Sequence, residues 1–193
     1  MYRDEEIIDM RNQWDNENRS DIYTGFFIEG ELIEFEEKEL FNGELRVMLP
    51  KKFVEMPMKM KRVKYPSDNR PKIIKTDLQG KINMTFNILN LKMTDKSTEE
   101  AMAQMKKITQ RLMPHYKFGN DFLGQTKNGL YFGYEYISNV LDGKMYNFVY
   151  GVCMNGKLMN GACNCLAQDK HWWEKAFIQI CESILVIDVT TID

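Results

Sequence analysis

The last third of the chain contains three consecutive strand-like segments joined by very short turns, and this pattern limits the possible folds more than any other feature. The segments are residues 130–139, 145–154 and 157–166. Asp142-Gly143 and Asn155-Gly156 lie between them and favour type I′ turns, which connect neighbouring antiparallel strands. We therefore expect a three-stranded antiparallel meander in this region.

Two-residue turns also fix which residues lie opposite each other, and so which side chains share a face of the sheet. The predicted pairs are Ile137 with Phe148, Glu135 with Tyr150, Phe148 with Cys163, and Val152 with Met159. One face then carries Tyr131, Ile137, Tyr146, Phe148, Tyr150, Val152, Met159, Cys163 and Cys165. The other carries Leu130, Phe132, Tyr134, Tyr136, Met145, Val149, Cys153, Leu158, Ala162 and Leu166.

Both faces of this meander are rich in apolar and aromatic side chains, so each needs a cover of helices or of a bound partner. Two amphipathic helices are available. The first is predicted over residues 97–113, with Ser97-Thr98-Glu99-Glu100 as a capping box and Pro114 as its stop. Its apolar face carries Ala101, Met105, Ile108 and Leu112. The second is capped by Asp169, and its apolar face carries Trp173, Ala176, Phe177, Ile180 and Ile184.

The amino-terminal half gives further strand signals. Residues 32–37 and 44–49 flank the hairpin sequence Asn42-Gly43, and Pro50 ends the second of these strands. Residues 82–89 alternate most cleanly of all. The succession of strands and helices predicts an α+β fold with a central, mainly antiparallel sheet and flanking helices.

The domain organisation follows from where apolar residues are dense. Residues 25–188 are predicted to form a single domain, since about 150 residues suffice for one core. Residues 1–24 are predicted to be a polar arm, partly helical or mobile, and residues 189–193 a tail. A short helix over residues 4–14 would carry Ile7, Ile8, Met10 and Trp14.

Composition excludes several classes of protein. Hydrophobic residues make up 44% of the 193 residues, which is too many for a disordered chain, and no apolar run approaches the roughly 20 residues that span a bilayer. The net charge of −2 argues against nucleic-acid binding. An acidic start without an apolar segment, together with four cysteines predicted to be buried and reduced, favours a cytoplasmic protein without membrane insertion.

Residues that could support catalysis or metal binding are sparse. His115 and His171 have no companions at catalytic or metal-binding spacing. Cys163-Asn164-Cys165 resembles half of a zinc site but lacks a fourth ligand, so core thiols are the favoured interpretation. The chain contains no dinucleotide, P-loop or nucleophile-elbow motif. We therefore predict no catalytic residue, no metal and no cofactor.

Charge is strongly segregated along the chain. Residues 29–44 contain seven Glu and one Lys, whereas residues 51–75 contain nine Lys or Arg and only two acidic residues. One interpretation is cross-strand charge pairing on a solvated edge. Another is a bipolar surface that orients a protein partner. Nucleic-acid binding is weaker, because only scattered aromatics such as Phe53 and Tyr65 accompany the basic segment.

Fourteen methionines are many for this length, and flexible, polarizable side chains suit either an irregular core or an adaptable binding groove. Three of them alternate around Pro57. Together with tyrosines of the first sheet face, they give the predicted partner-binding residues Met56, Met58, Met60, Tyr131, Tyr146 and Tyr150.

Two segments resemble a known family. Leu49-Pro50 followed by Lys51-Lys52-Phe53 resembles the strand, proline and aromatic residue with which the PsbP-like fold begins. Residues 163–165 lead into a helix with Trp172 or Trp173 that ends at Ile180-Cys181-Glu182-Ser183-Ile184. This ending is similar to that of the bacterial branch of the PsbP-like (Mog/PsbP-type) superfamily that includes type VI secretion effector adaptors.

The resemblance covers about residues 40–186 and implies an α/β/α sandwich around an antiparallel sheet. It also implies a mostly non-catalytic group of relatives, namely an extrinsic photosystem subunit, a Ran-binding protein, and dimeric chaperones that shield apolar effector segments. The family has no catalytic residue that could be carried over to this chain.

Three functions remain open at this point. The first is a protein-binding module, such as a secretion-linked adaptor or chaperone that shields apolar segments and forms a homodimer. The second is a small-molecule or lipid binder with an apolar cavity between sheet and helix. The third is a hydrolase or transferase with a composite site.

Overall fold

The computed structural model describes residues 2–18, 20–140 and 143–188. The predicted tail at residues 189–193 and Asp142 of the first predicted turn therefore lie outside the described residues. The helices are α1 Tyr2–Asn18, α2 Met58–Lys64, α3 Asp95–Leu112 and α4 Lys170–Glu182. The strands are β1 Ser20–Asp21, β2 Gly25–Ile28, β3 Glu31–Ile33, β4 Phe35–Leu40, β5 Leu45–Pro50, β6 Val54–Glu55, β7 Ile73–Thr76, β8 Asn83–Lys92, β9 Lys117–Gln125, β10 Leu130–Val140, β11 Gly143–Met154, β12 Lys157–Leu166 and β13 Leu185–Val186.

A seven-stranded sheet forms the centre of the molecule, in the order β6-β7-β8-β12-β11-β10-β9, with every neighbouring pair antiparallel. Two three-stranded sheets, β1-β2-β3 and β13-β5-β4, pack beside it. This is the predicted α+β architecture, a largely antiparallel sheet with helices on its two faces.

The register of the meander is correct for one hairpin and shifted for the other. Phe148 pairs with Cys163 across β11 and β12 as predicted. In the first hairpin Ile137 pairs with Tyr146, and Glu135 with Phe148, so the predicted pairs were wrong by two residues. Gly143, predicted to lie in the turn, is instead the first residue of β11 and pairs with Val140, which accounts for the shift. A shift of two keeps every side chain on its predicted face.

The first face of the meander belongs to the main core, together with α4 and the two small sheets. Its buried side chains include Tyr146, Phe148, Tyr150 and Cys163, against which Phe177 of α4 packs. The predicted apolar face of α4 is confirmed, although Ile184 lies just beyond the helix end, where it is still fully buried.

The second face is covered by α3, which contacts β10 and β11. This helix begins at Asp95, after the N-cap Thr94, and Ser97 completes the capping box, so the predicted cap at Ser97 was wrong. Its buried residues are Thr98 and Met102, whereas Ile108 and Leu112 of the predicted apolar face are exposed. Thr98 can be buried because its hydroxyl donates to the Thr94 carbonyl oxygen.

The short helix α2 covers the same face at the other edge of the sheet. Below it lie Met56 and Ile74, both buried, and the Met60 side chain beside Gly80. Gly80 has φ of +74°, which favours glycine, and a Cβ there would lie 2.8 Å from the Met60 sulfur. The methionine-rich segment therefore serves partly as core packing, as one of its two interpretations proposed.

Backbone pairing between β8 and β12 is completed by two side chains at its centre. The Tyr150 hydroxyl donates to the Thr85 carbonyl oxygen at 3.1 Å, and the Thr85 hydroxyl accepts from the Ala162 amide at 2.8 Å. Position 161 must be glycine, since a Cβ there would lie 2.0 Å from the Thr85 oxygen. Tyr150 is thus a structural hydrogen-bond donor inside the core.

We expect Tyr150→Phe to lower the free energy of unfolding by about 1–3 kcal/mol, because the buried Thr85 carbonyl oxygen loses its donor. Guanidinium unfolding followed by tryptophan fluorescence measures the change. Tyr23→Phe removes the same hydroxyl from an exposed tyrosine and serves as the matched control, with an expected effect within about 0.5 kcal/mol. Equal effects of the two substitutions would contradict the assigned role.

Candidate functional site

A cleft of about 500 Å³ opens at one end of the central sheet. One wall is the hairpin of β2 and β3, and the opposite wall is the loop of residues 77–82 between β7 and β8. Residues 50–53, at the end of β5 and just after it, and the first turn of α4 close its inner end. Its volume lies within the range of ligand-binding clefts.

The inner end of the cleft is aromatic. Phe53 and Trp173 lie with their ring centroids 6.2 Å apart, and both are almost fully buried. Trp173 stacks in turn on Phe177, and Phe177 on Tyr146, so the rings continue from the cleft into the main core. These two rings give the inner end of the cleft a small apolar floor that is held rigid by core packing.

The rim of the cleft combines the two oppositely charged segments of the sequence. The charged residues at the rim are Glu29, Glu31 and Glu34, in and just after the hairpin, and Lys51, Lys52 and Lys81, on the strand exit and the loop. The Lys51 amine lies 3.2 Å from the Glu34 carboxylate, and the Lys52 amine lies 4.0 Å from the Glu31 carboxylate.

Lys51 and Lys52 thus pair with the acidic segment, which agrees with the cross-strand interpretation for these two residues of the basic segment. Arg46 also pairs with Glu39 across β4 and β5, at 2.9 Å. All of these pairs are solvent-exposed, so each contributes at most about 1 kcal/mol and can exchange for a charge of a partner. The bipolar arrangement and the pairing therefore coexist at the cleft.

The loop wall of the cleft is held in place by Asp77. Its carboxylate accepts from the amides of Gln79, at 3.2 Å, and Ile82, at 2.8 Å. The Lys64 amine donates to the Gly80 carbonyl oxygen and ties the loop to α2. A wall fixed by so many bonds is largely pre-formed, which lowers the entropic cost of binding.

The predicted partner-binding residues do not come together at one surface. Four of them are at most 2% exposed, namely Met56, Tyr131, Tyr146 and Tyr150. A partner that binds at the surface therefore does not contact these four side chains. Their patterns were those of sheet and helix interiors, which sequence alone does not distinguish from a binding face. Met58 is exposed and Met60 is partly buried, and partner binding through these two stays a prediction.

A polar cluster centred on Glu135 is buried beside the aromatic core. The Glu135 carboxylate accepts from the Lys170 amine at 2.8 Å, the Tyr146 hydroxyl at 3.0 Å and the Asn120 amide at 3.1 Å. The bond from the Asn120 amide requires a bulge in β9 opposite Glu135. Gly119 lies in this bulge, and a Cβ at that position would lie 2.3 Å from the Glu135 carboxylate. The cluster locks α4 onto β9, β10 and β11.

Burial is the largest influence on Glu135 and raises its pKa, but the Lys170, Asn120 and Tyr146 bonds together lower it below the ordinary value of 4.5. The carboxylate is therefore ionised at neutral pH, with all its donors in place. It does not line the cleft described above. Its role is structural.

The cysteines and histidines form no reactive site in the described residues. All four thiols are free, and burial raises the pKa of Cys165 to about 12 and also raises the pKa values of Cys163 and Cys181. His115 and His171 are exposed and contact a neighbouring aromatic ring each. Within residues 2–18, 20–140 and 143–188, no three His, Cys, Asp or Glu side chains are grouped to hold a metal ion.

Structural comparison identifies proteins with a similar fold. The solution structure of cyanobacterial PsbP (CyanoP) from Synechocystis sp. PCC 6803 matches 81% of this chain and 95% of its own, with a TM-score of 0.59 and 12% identity. The fold is that of PsbP. The Ran-binding protein Mog1p of Saccharomyces cerevisiae matches 82% of this chain and 98% of its own, with a TM-score of 0.54 and 10% identity.

Sequence comparison adds nothing to this structural match. No family model and no curated protein matches the chain. The similarity to PsbP and Mog1p establishes the fold that the sequence resemblance implied, without selecting a branch among its members. None of the described helices is long and apolar enough to cross a membrane.

Because the pKa of Glu135 is lowered by folding, its contribution to stability is present above pH 4.5 and is lost as the pH falls through the folded-state pKa. We expect Glu135→Gln to destabilise the protein by about 1–3 kcal/mol at pH 7, with the difference from wild type shrinking in acid. Urea unfolding of both proteins at pH 7 and at an acidic pH measures this difference in stability. Glu174→Gln, which also removes a Lys170 partner but from a more exposed site, is the control and should change stability little.

Proposed function

We propose that this protein is a non-catalytic protein-binding module that takes a large apolar side chain of its partner into the cleft. The observation that carries the proposal is the convergence of both charged segments of the sequence on one cleft with an aromatic floor. Acidic residues at the rim then pair with basic residues beside the partner's apolar anchor, and the basic residues pair with acidic ones.

The physical argument rests on how protein interfaces distribute their energy. A few large side chains in desolvated pockets supply most of the affinity, while a polar rim excludes water and sets orientation. Phe53 and Trp173 provide such a pocket, and the rim around it carries both signs of charge. Charges of both signs at fixed positions on a rim favour one direction of the bound segment over the reverse.

The resemblances give this proposal a more specific form. Mog1p, which shares the fold, is named for binding the protein Ran. The sequence resemblance to secretion effector adaptors suggests that this chain acts in the cytoplasm as an adaptor or chaperone, shielding an apolar segment of a secreted partner. In that role the cleft would hold the first apolar residue of the segment.

A random peptide library displayed on phage tests the proposal directly. We expect selected peptides to share one aromatic, leucine or methionine residue flanked by charged residues. Leu78→Asp, in the cleft wall, should weaken their binding by about tenfold or more. Leu123→Asp on β9 is the matched control, since Leu78 is 74% exposed and Leu123 is 65% exposed but outside the cleft.

Reversing charges at the rim of the cleft gives a second test with the same peptide library. With Lys51 and Lys52 both changed to Glu, the selected peptides should lose their acidic residues and keep the apolar anchor. Peptides that bind the Leu78→Asp and Leu123→Asp variants equally well, or that lack any common anchor, would show that the cleft is not the docking site.

A small-molecule or lipid ligand is the second candidate, and the volume of the cleft supports it. The cleft lies at the end of the sheet, however, rather than between sheet and helix as the sequence analysis expected. Thermal unfolding with an apolar fragment library separates the two functions. Fragments that stabilise the wild type but not Leu78→Asp, together with a peptide selection that yields no consensus, would favour this candidate over a protein partner.

A further inference from the structure

The two edges of the central sheet differ in how far they prevent a further strand from pairing. Strand β6 forms one edge, has only two residues and is followed closely by Pro57. Short strands and prolines are two of the means by which proteins stop edge-to-edge pairing. Strand β9 forms the other edge, has nine residues and contains no proline. The sheet is therefore protected at β6 and open to strand addition at β9.

Three residues of β9 turn their backbone groups away from the sheet. In the turn between β9 and β10, the Thr126 amide donates to the Gly129 carbonyl oxygen. Because backbone groups alternate in direction along an antiparallel pair, those of Asp121, Leu123 and Gln125 then point away from β10. Within the described residues, these outward N–H and C=O groups bond to no other strand. Their spacing is complementary to the backbone of another extended segment.

The side chains along this segment indicate what such a strand would carry. Asp121 and Leu123 both lie on the second face of the sheet, opposite Tyr134 and Phe132. The Asp121 side chain is 69% exposed, whereas Lys106, which pairs with it, is only 18% exposed. An added strand therefore meets the carboxylate rather than the amine, and beside it meets Leu123, which is 65% exposed. Cross-strand pairing favours a cation opposite Asp121 and an apolar side chain opposite Leu123.

We propose that β9 accepts an extended segment of a partner protein as an eighth strand of the central sheet. Backbone bonds along residues 121–125 supply affinity. A Lys or Arg opposite Asp121, two positions from a β-branched or aromatic residue opposite Leu123, supplies specificity. A second β9 is a poorer occupant, because residues 121–125 contain no cation to meet Asp121. The site is independent of the cleft, since no residue of β9 lines it.

A phage-displayed peptide library selected against the full-length Leu78→Asp variant tests the proposal. That substitution obstructs the cleft, so peptides recovered here are not cleft binders. We expect them to share a Lys or Arg two positions from a β-branched or aromatic residue. In fluorescence anisotropy they should bind the wild type and the Leu78→Asp variant with equal affinity, which separates this proposal from that of the cleft.

N-methylation of each amide of a selected peptide in turn tests whether the peptide binds as a strand. An added strand bonds to β9 through every second residue, and the amides between them face solvent. The Kd should therefore rise by about tenfold or more at alternate positions and stay within about threefold at the others. Equal effects at all positions, or none, would show that the peptide is not paired with β9 and would overturn the proposal.

Two substitutions in β9 test the same contact from the protein side. Leu123→Pro removes an outward amide, which an edge strand tolerates, and should raise the peptide Kd by about tenfold or more. Asp121→Lys should weaken the cationic peptides by a similar factor. Glu100→Lys makes the same charge change on an exposed part of α3 and is the matched control, with a Kd within about twofold of the wild type.

Circular dichroism establishes that each variant is folded, and if Leu123→Pro is not, Asp121→Lys and the N-methylated peptides decide the outcome. A selection that yields no peptides of the expected pattern, or peptides that bind both β9 variants as tightly as the wild type, would overturn the proposal. A wild type that sediments as a dimer and becomes monomeric in Leu123→Pro would overturn it equally, since a second copy would then occupy the edge.

Discussion

Burial of both faces of the meander β10–β11–β12 is the constraint around which the rest of the molecule is arranged. The first face carries Tyr146, Phe148 and Tyr150 and requires α4 together with the two small sheets, whereas the second requires α3. Because apolar area removed from water stabilises by about 25 cal/mol per Å², neither set of covers can be lost without exposing a large aromatic surface. Polar groups inside this stack persist only where each one is bonded, as Glu135 is.

The cleft is a consequence of how the covers of the first face meet. The β2–β3 hairpin, the exit of β5 and the start of α4 all pack on the same core, but they approach the end of the sheet from different directions. The space between them is lined by the outer members of that core, Phe53 and Trp173. Surface charges of the covering segments then necessarily surround it. A binding site that shares its floor with the core is rigid, because its aromatic residues are fixed by packing.

Local patterns in the sequence predicted the meander, its two faces, α4 and the central strand β8, since each rests on strict periodicity or a defined turn. Strand β9 was missed because its sequence, KFGNDFLGQ, lacks alternation: it is an edge strand with a bulge that serves Glu135. Ala101 and Met105 of the predicted apolar face of α3 pack on the second face, but Ile108 and Leu112 are exposed, because periodicity does not reveal where a helix leaves the sheet. The cleft joins segments far apart in sequence, and only the segregated charge gave a hint of it.

The positions of the four cysteines allow the separation of the core layers to be followed by thiol modification. Cys163, Cys165 and Cys181 lie in the main core, whereas Cys153 is partly exposed on the other face, with its sulfur 3.5 Å from the Met93 carbonyl oxygen. A thiol-specific reagent should therefore modify Cys153 first and reach the other three only when the aromatic layers separate. The rate of that slower modification reads out how often the central sheet and α4 come apart, without any probe having to be introduced.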